Sequence, residues 1–230
     1  MSLRSLFGRP KKHHTPEGKL ALILEAHSVD LYVDVGANIG QTGRGLRRWG
    51  YGGRILSFEP VADCHRRLCE AAATDHDWQV ADRCAIGDTD GEADILVSDA
   101  SDLSSLAPPT PDLVAALPRA RTTGRERVAV HRLDTLYRDG FPEFSHPFLK
   151  IDTQGHDFAV LQGAAGILKR IFGVQIEMSL LPLYSGEPDY LDVLRFLHDA
   201  GFRPYLMTDR TFSRRLNRQL QIDGVFLRDS

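Results

Sequence analysis

An α/β fold on a sheet of mainly parallel strands is predicted by three observations. Short apolar runs at Leu31–Val35, Arg54–Phe58, 148–152 and 173–178 have the length of buried strands. Segments with helical spacing separate them, the alternation that parallel sheets require. The first run ends in a glycine-rich loop that opens a helix.

The elements follow in chain order. Residues 1–18 carry Pro10, Lys11, Lys12, His13, His14 and Pro16 without periodicity, and they read as a flexible arm. Residues 19–230 then form a single domain. Leu20, Ile23 and Leu24 predict a helix over 19–27, and 44–49 continues as a helix that Gly50, Gly52 and Gly53 stop. Leu68, Ala71 and Ala72 share one side of a third helix. Strand 80–86 is expected to turn at 87–91 and return as a hairpin arm over 92–97. Residues 98–125, with Pro108, Pro109, Pro111 and Pro118, are the least regular stretch, expected to be a substrate loop or lid. An extended segment at 127–131 and a helical turn at 133–137 precede strand 148–152. Helix 158–168, strand 173–178 and helix 190–200 follow. Two last strands, 202–207 and 222–227, flank an arginine-rich turn and have no helix between them, so they form an antiparallel hairpin.

Composition excludes several classes. The 230 residues are 42% hydrophobic and 26% charged, as in water-soluble globular proteins. No run of about 18 apolar residues occurs, so no integral membrane segment is expected. A net charge of −3 gives no electrostatic footprint for nucleic acid. Three cysteines, Cys64, Cys69 and Cys84, lack metal-ligand spacing and point to a reducing, cytoplasmic compartment.

The strongest chemical signal is VDVGANIGQ at 33–41. Gly36 and Gly40 allow a sharp turn and close approach of backbone to a ligand, with a helix N-terminus behind them. Asn38 stands where a dinucleotide fingerprint has its middle glycine. Asp34 would repel a pyrophosphate, yet a carboxylate there suits a ligand with an ammonium and a sulfonium, as in S-adenosylmethionine. A tight strand-to-helix turn capped by Asp34 is the alternative. Glu59, ending the second strand, is placed to accept hydrogen bonds from ribose hydroxyls.

These residues, with further motifs in the same order, resemble the FkbM family of S-adenosylmethionine-dependent methyltransferases. The motifs are FEP at 58–60, AIGD at 85–88 with DG at 90–91, and SDLSSL at 101–106. RLDT at 132–135, LKIDTQGHD at 149–157 with LQG at 161–163, and QIE at 175–177 complete the set. Asp157 stands where many relatives have glutamate. The resemblance implies a Rossmann-like class I methyltransferase fold with helices on both sheet faces and methylation of an oxygen. The acceptor would be a small molecule or glycolipid, such as a sugar or a secondary metabolite. It also implies that Asp34, Gly36, Asn38 and Gly40 surround the methionine part of the cofactor, Glu59 holds the ribose, and Ala85 and Ile86 border the adenine. Ser101 would face the cofactor, and Ser104 and Ser105 the substrate, although such serines also make local turn bonds.

Asp152, ending a central strand, projects toward the crevice where open α/β sheets place ligands. A hydroxyl is a poor nucleophile until its proton leaves, and Asp152 and His156 are the candidates to receive or steer it. Asp157 is read as the cap of the next helix, Glu177 as a substrate-orienting group, and Lys150 as a buried lysine paired with one of these acids. A divalent metal on Asp152, His156 and Glu177 is a competing mechanism that the spacing does not demand, and no metal ligand is assigned. An NAD-binding oxidoreductase and a non-catalytic binding module are the other functional classes; Asp34 and Asn38 weigh against the first.

Overall fold

A seven-stranded sheet in the order β3-β2-β1-β7-β8-β10-β9 forms the centre of the computed structural model, which describes residues 12–228. Its strands are β1 (Leu31–Val35), β2 (Arg54–Phe58), β3 (Trp78–Val80), β7 (Pro147–Ile151), β8 (Gly173–Ser179), β9 (Phe202–Ser213) and β10 (Arg218–Arg228). Only β10 runs against its neighbours, because the β9–β10 connection is a hairpin too short for a crossover. The expected parallel sheet with an antiparallel C-terminal hairpin is therefore present. Its strands run through much of the arginine-rich segment expected as a turn: the charged residues there sit largely on exposed strand positions.

Helices cover both faces. On one side α1 (Pro16–Ala26), α2 (Gln41–Arg48) and α3 (Ala62–Ala72) pack Leu24, Leu46 and Leu68 against Tyr32, Ile55 and Phe148. On the other, α5 (Leu133–Leu136), α6 (Asp157–Gly163) and α7 (Tyr190–Asp199) place Leu133, Leu161 and Leu197 against Val33, Leu149 and Ile176. Successive residues of β1 thus serve opposite cores, the period-two rule of a strand buried on both faces. Helix α1 starts at Pro16 rather than 19, because the Thr15 side chain accepts from the Gly18 N–H at 3.0 Å and proline suits the first helical position. Lys12 also pairs with Glu25 at 2.7 Å. The flexible arm expected over 1–18 is corrected from residue 12 onward; residues 1–11 lie outside the described residues.

A second sheet of three strands, β4 (Ala85–Ile86), β6 (Thr122–His131) and β5 (Gly91–Ser98), replaces the expected 80–97 hairpin. β5 pairs antiparallel with β6, and β4 runs parallel to β6. Between β5 and β6 the chain forms an ordered cap rather than an irregular loop. It contains a 3-10 turn at Ser101–Leu103 and α4 (Pro111–Ala116), which Thr110 caps through the Leu113 N–H. Leu113 and Ala120 of the cap are buried against Leu183, Tyr184 and Leu220. No helix among the described residues is long and apolar enough to cross a membrane.

Candidate active site

The carboxyl ends of β1, β2 and β7, the small sheet and the cap enclose a cavity of about 90 Å³. Gly36, Asn38, Glu59, Ala85, Ile86, Ser101, Ser104, Ser105, Asp152 and His156 all line it. Asp34, Gly40 and Glu177 do not.

The β1 loop is shaped by close backbone packing. Gly36 has φ +77°, and a Cβ there would lie 1.9 Å from the Asp152 carbonyl oxygen, so no other residue fits. The Asp152 N–H donates to the Val35 carbonyl at 3.1 Å and ties the two strand ends together. Asn38 adopts φ +49°, and its side chain meets the Ser101 hydroxyl at 3.3 Å. Gly40 turns the chain into α2, but it faces Leu68 and the Trp78 ring instead of the cavity.

Glu59 holds the second strand end. Its carboxylate accepts from the Asn38 N–H at 2.8 Å and the Val61 N–H at 2.9 Å. Burial pushes its pKa up to about 7, although those two N–H groups and Lys150 favour the charged form. Beside it Val61, Cys84, Ala85, Ile86, Ile95 and Leu106 make an apolar slot.

Asp34 requires a correction. It follows Tyr32 on the α1 side of the sheet, where the parallel register sets it beside Lys150. The Lys150 ammonium lies 2.9 Å from Asp34 Oδ1, and both side chains are buried. That ammonium donates to the Gly36 carbonyl at 3.0 Å, while neither Asp34 oxygen receives an aligned hydrogen bond. The contact is an ion pair, and it answers the expectation that Lys150 pairs with a neighbouring acid. The charge that a ligand ammonium was expected to neutralise is already balanced from within.

At the opposite end of the cavity Asp152 accepts from Gln154 Nε2 at 2.8 Å on Oδ1 and from Arg210 Nη2 at 3.0 Å on Oδ2. Burial opposes its ionisation, but the charges of Lys150 and Arg210 outweigh this and hold its pKa below the usual value. His156 precedes α6, and burial lowers its pKa, against a weaker pull from Asp88. The imidazole is therefore neutral near pH 7. Asp157 accepts from the Thr153 and Gly155 N–H groups at 2.7 and 2.9 Å, so it closes the turn before α6 instead of capping that helix, whose N-cap is His156.

Glu177 is also corrected. It does not reach the cavity; it accepts from Gln154 at 2.9 Å, from Arg210 at 3.2 Å and from Gln221. Burial, then the charge of Asp152, raises its pKa well above the usual range. Its place is beneath the site, as a support. The Ser105 hydroxyl is likewise engaged, donating to the Gln154 carbonyl at 2.6 Å and accepting from the Ala107 N–H at 2.9 Å. Among the described residues no group of three or more His, Cys, Asp or Glu side chains is arranged to hold a metal.

Gln154 and Arg210 line the cavity and were missed from sequence. Gln154 had a signal, since it sits between Asp152 and Gly155 in the strand-end turn. Arg210 had none, being one of many arginines on a distant hairpin.

A family model described as "Methyltransferase FkbM domain" matches residues 34–204. Among solved structures, the chain resembles magnesium protoporphyrin IX methyltransferase from Synechocystis PCC 6803 with bound SAM. Identity there is 11%, with 95% of this chain and 80% of that one covered and a TM-score of 0.50. It also resembles the Burkholderia thailandensis 1,6-didemethyltoxoflavin-N1-methyltransferase, bound to 1,6-didemethyltoxoflavin and S-adenosylhomocysteine. That identity is 12%, with 93% and 78% covered and a TM-score of 0.50. At such identities the likeness concerns the fold, a class I methyltransferase sheet. The search of curated proteins gives no match.

Proposed function

The chain belongs to the FkbM methyltransferase family, and from that premise we propose that it moves a methyl group from S-adenosylmethionine to a hydroxyl oxygen. The acceptor is a small molecule, a sugar of a glycolipid or a secondary metabolite, met in the cytoplasm where Cys64, Cys69 and Cys84 stay reduced.

One observation carries this reading. A single cavity joins a nucleoside-like half, the apolar slot beside Glu59, to a proton-handling half, Asp152 and His156. The residues fit the cofactor. The slot suits a flat adenine, and Glu59 keeps lone pairs for ribose hydroxyls after accepting two backbone N–H groups. NAD-linked redox chemistry is not favoured. The dinucleotide fold of that class is built from two parallel βαβαβ halves, whereas β10 reverses within the second half here, and Asn38 replaces the fingerprint glycine.

When bound, the cofactor supplies an electrophilic methyl on sulfur. The chain supplies the handling of the acceptor. His156, neutral and lining the cavity, accepts the hydroxyl proton as the oxygen attacks. Asp152, held ionised by Lys150 and Arg210, is a weak base and a good hydrogen-bond acceptor, so it orients the hydroxyl. Ser101 and Asn38 border the cofactor side, and Ser104 and the cap close the acceptor side. Incubation with S-adenosylmethionine and a panel of sugars and polyols, read by mass spectrometry, tests the reaction. Gain of one CH₂ by an acceptor supports it; methylation confined to nitrogen or sulfur acceptors contradicts it.

Cofactor affinity should depend on pH through Glu59. With its pKa at about 7, Glu59 is roughly half protonated at neutral pH in the free protein. Ribose hydroxyl donors and the cofactor's positive charge favour the carboxylate, so binding expels a proton and affinity rises from pH 6 to 8. Calorimetry in two buffers of different ionisation enthalpy measures this release. Glu59→Ala should weaken binding by about 1–3 kcal/mol and abolish the release; proton release that persists in the variant would remove Glu59 from the role.

The cavity is small against the roughly 300–1,000 Å³ of ordinary small-molecule sites, so the 98–125 cap opens to admit ligands and closes over them. Limited proteolysis should cut this segment in the free protein and spare it with cofactor and acceptor bound. Equal cleavage in both states would contradict a lid.

A further inference from the structure

Gln154 stands in the turn between β7 and α6 with φ +55°, a left-handed backbone that a side-chain-bearing residue adopts only when its surroundings impose it. It is buried, and every polar group of its side chain is used. One amide hydrogen goes to Asp152 Oδ1 at 2.8 Å and the other to Glu177 Oε1 at 2.9 Å. Its Oε1 accepts from the Tyr184 hydroxyl at 3.0 Å. A flipped amide would aim its oxygen at two carboxylates, so the orientation is fixed.

Two of its contacts lead to the cap. The Gln154 carbonyl accepts from Ser105, a cap residue. Tyr184 packs with Leu113 and Ala120 of the cap, and its ring fills the space where a Cβ of Gly155 would lie. The Asp152 carboxyl, 18% exposed, is held on Oδ2 by Arg210 at 3.0 Å, and with Gln154 on Oδ1 its broad terminal torsion is fixed from both sides rather than one.

Resting on the methyl-transfer reading above, we infer that Gln154 is a positioning residue for that reaction. It fixes the Asp152 carboxylate toward the acceptor and makes that orientation depend on the docked cap. An amide is the side chain that can donate to two acids at once. A glutamate there would add a third carboxylate, and an alanine would leave Oδ1 unheld.

The charged groups around Asp152 are Lys150 on β7, Arg210 on β9, Glu177 on β8, Asp223 on β10 and Asp157 on α6. Glu177, Asp157 and Asp223 titrate too, but they are the same in every variant, so the test is a ¹³C NMR titration of the Asp152 carboxyl in the full chain, compared between variants, alongside turnover and cofactor affinity. Gln154→Ala should raise the Asp152 midpoint, because a donor to the charged form is lost, and lower kcat about 10–100-fold with cofactor Kd within about twofold. Gln154→Glu should raise the midpoint further. Tyr184→Phe keeps the ring and removes only the hydroxyl, so it decides the matter if Gln154→Ala does not fold; a smaller shift of the same sign and a loss of a few fold in kcat are expected. An unmoved Asp152 midpoint with wild-type kcat, in folded Gln154→Ala or in Tyr184→Phe, overturns the inference. The titration needs no turnover. A wild-type chain that binds no S-adenosylmethionine would therefore defeat the functional reading while the positioning is still read from Asp152.

Discussion

Lys150→Met is expected to destabilise the protein by about 3–5 kcal/mol, the cost of removing one partner of a buried ion pair and stranding the other. Asp34 is wholly enclosed, and the Lys150 ammonium is the cation beside it, at 2.9 Å. A domain of this size loses roughly 2–4 °C of melting temperature per kcal/mol, so a fall of about 10 °C is expected. The double variant Lys150→Met with Asp34→Leu should recover much of it, because two apolar groups leave no charge without a partner. Asp34→Ala alone should likewise register first as lost stability, with weakened cofactor binding a consequence. Thermal unfolding of the four proteins decides this: unchanged melting of Lys150→Met would show that the pair is dispensable.

His156→Ala is expected to lower turnover about 10²–10⁴-fold, the usual contribution of a general base, with cofactor affinity within a few fold. Asp152→Asn should also lower turnover, through misplacement of the acceptor. The pH profile carries the sign. Burial depresses the His156 pKa, so the active neutral form persists below the ordinary value of about 6.5, and the acid limb of kcat falls beneath that pH. The limb should vanish in His156→Ala. Wild-type single-turnover rates in both variants would rule out this assignment. Activity abolished by a chelator and restored by a divalent ion would transfer proton removal to a metal.

The central strands were legible because each is a short run buried on both faces, and the bounds of β1 and β2 are those the apolar pattern predicts. The small sheet was not. Gly87–Gly91 has the chemistry of a hairpin turn, but the antiparallel partner of β5 is β6, beyond the whole cap, and no local pattern encodes that pairing. The length of β9 was hidden for a different reason. Arginines and other polar residues suit the solvent side of an edge strand as well as a turn.

The site divides the same way. Glu59, Asp152 and His156 follow from position at strand ends and in the turn beyond, which topology converts directly into cavity wall. Asp34 and Glu177 also lie in the last residues of their strands, but their roles depend on neighbours set by register and sheet order. Lys150 lies beside one, and Gln221 and Arg210 reach the other from the C-terminal hairpin. Strand-end position alone does not say whether a carboxylate meets a ligand or a lysine.

Calorimetric titration of the wild-type chain with S-adenosylmethionine, and in parallel with NAD, tests the cofactor assignment most directly. One S-adenosylmethionine should bind per chain, with proton release near pH 7 and no heat from NAD. Saturable binding of NAD, with none of S-adenosylmethionine, would contradict it.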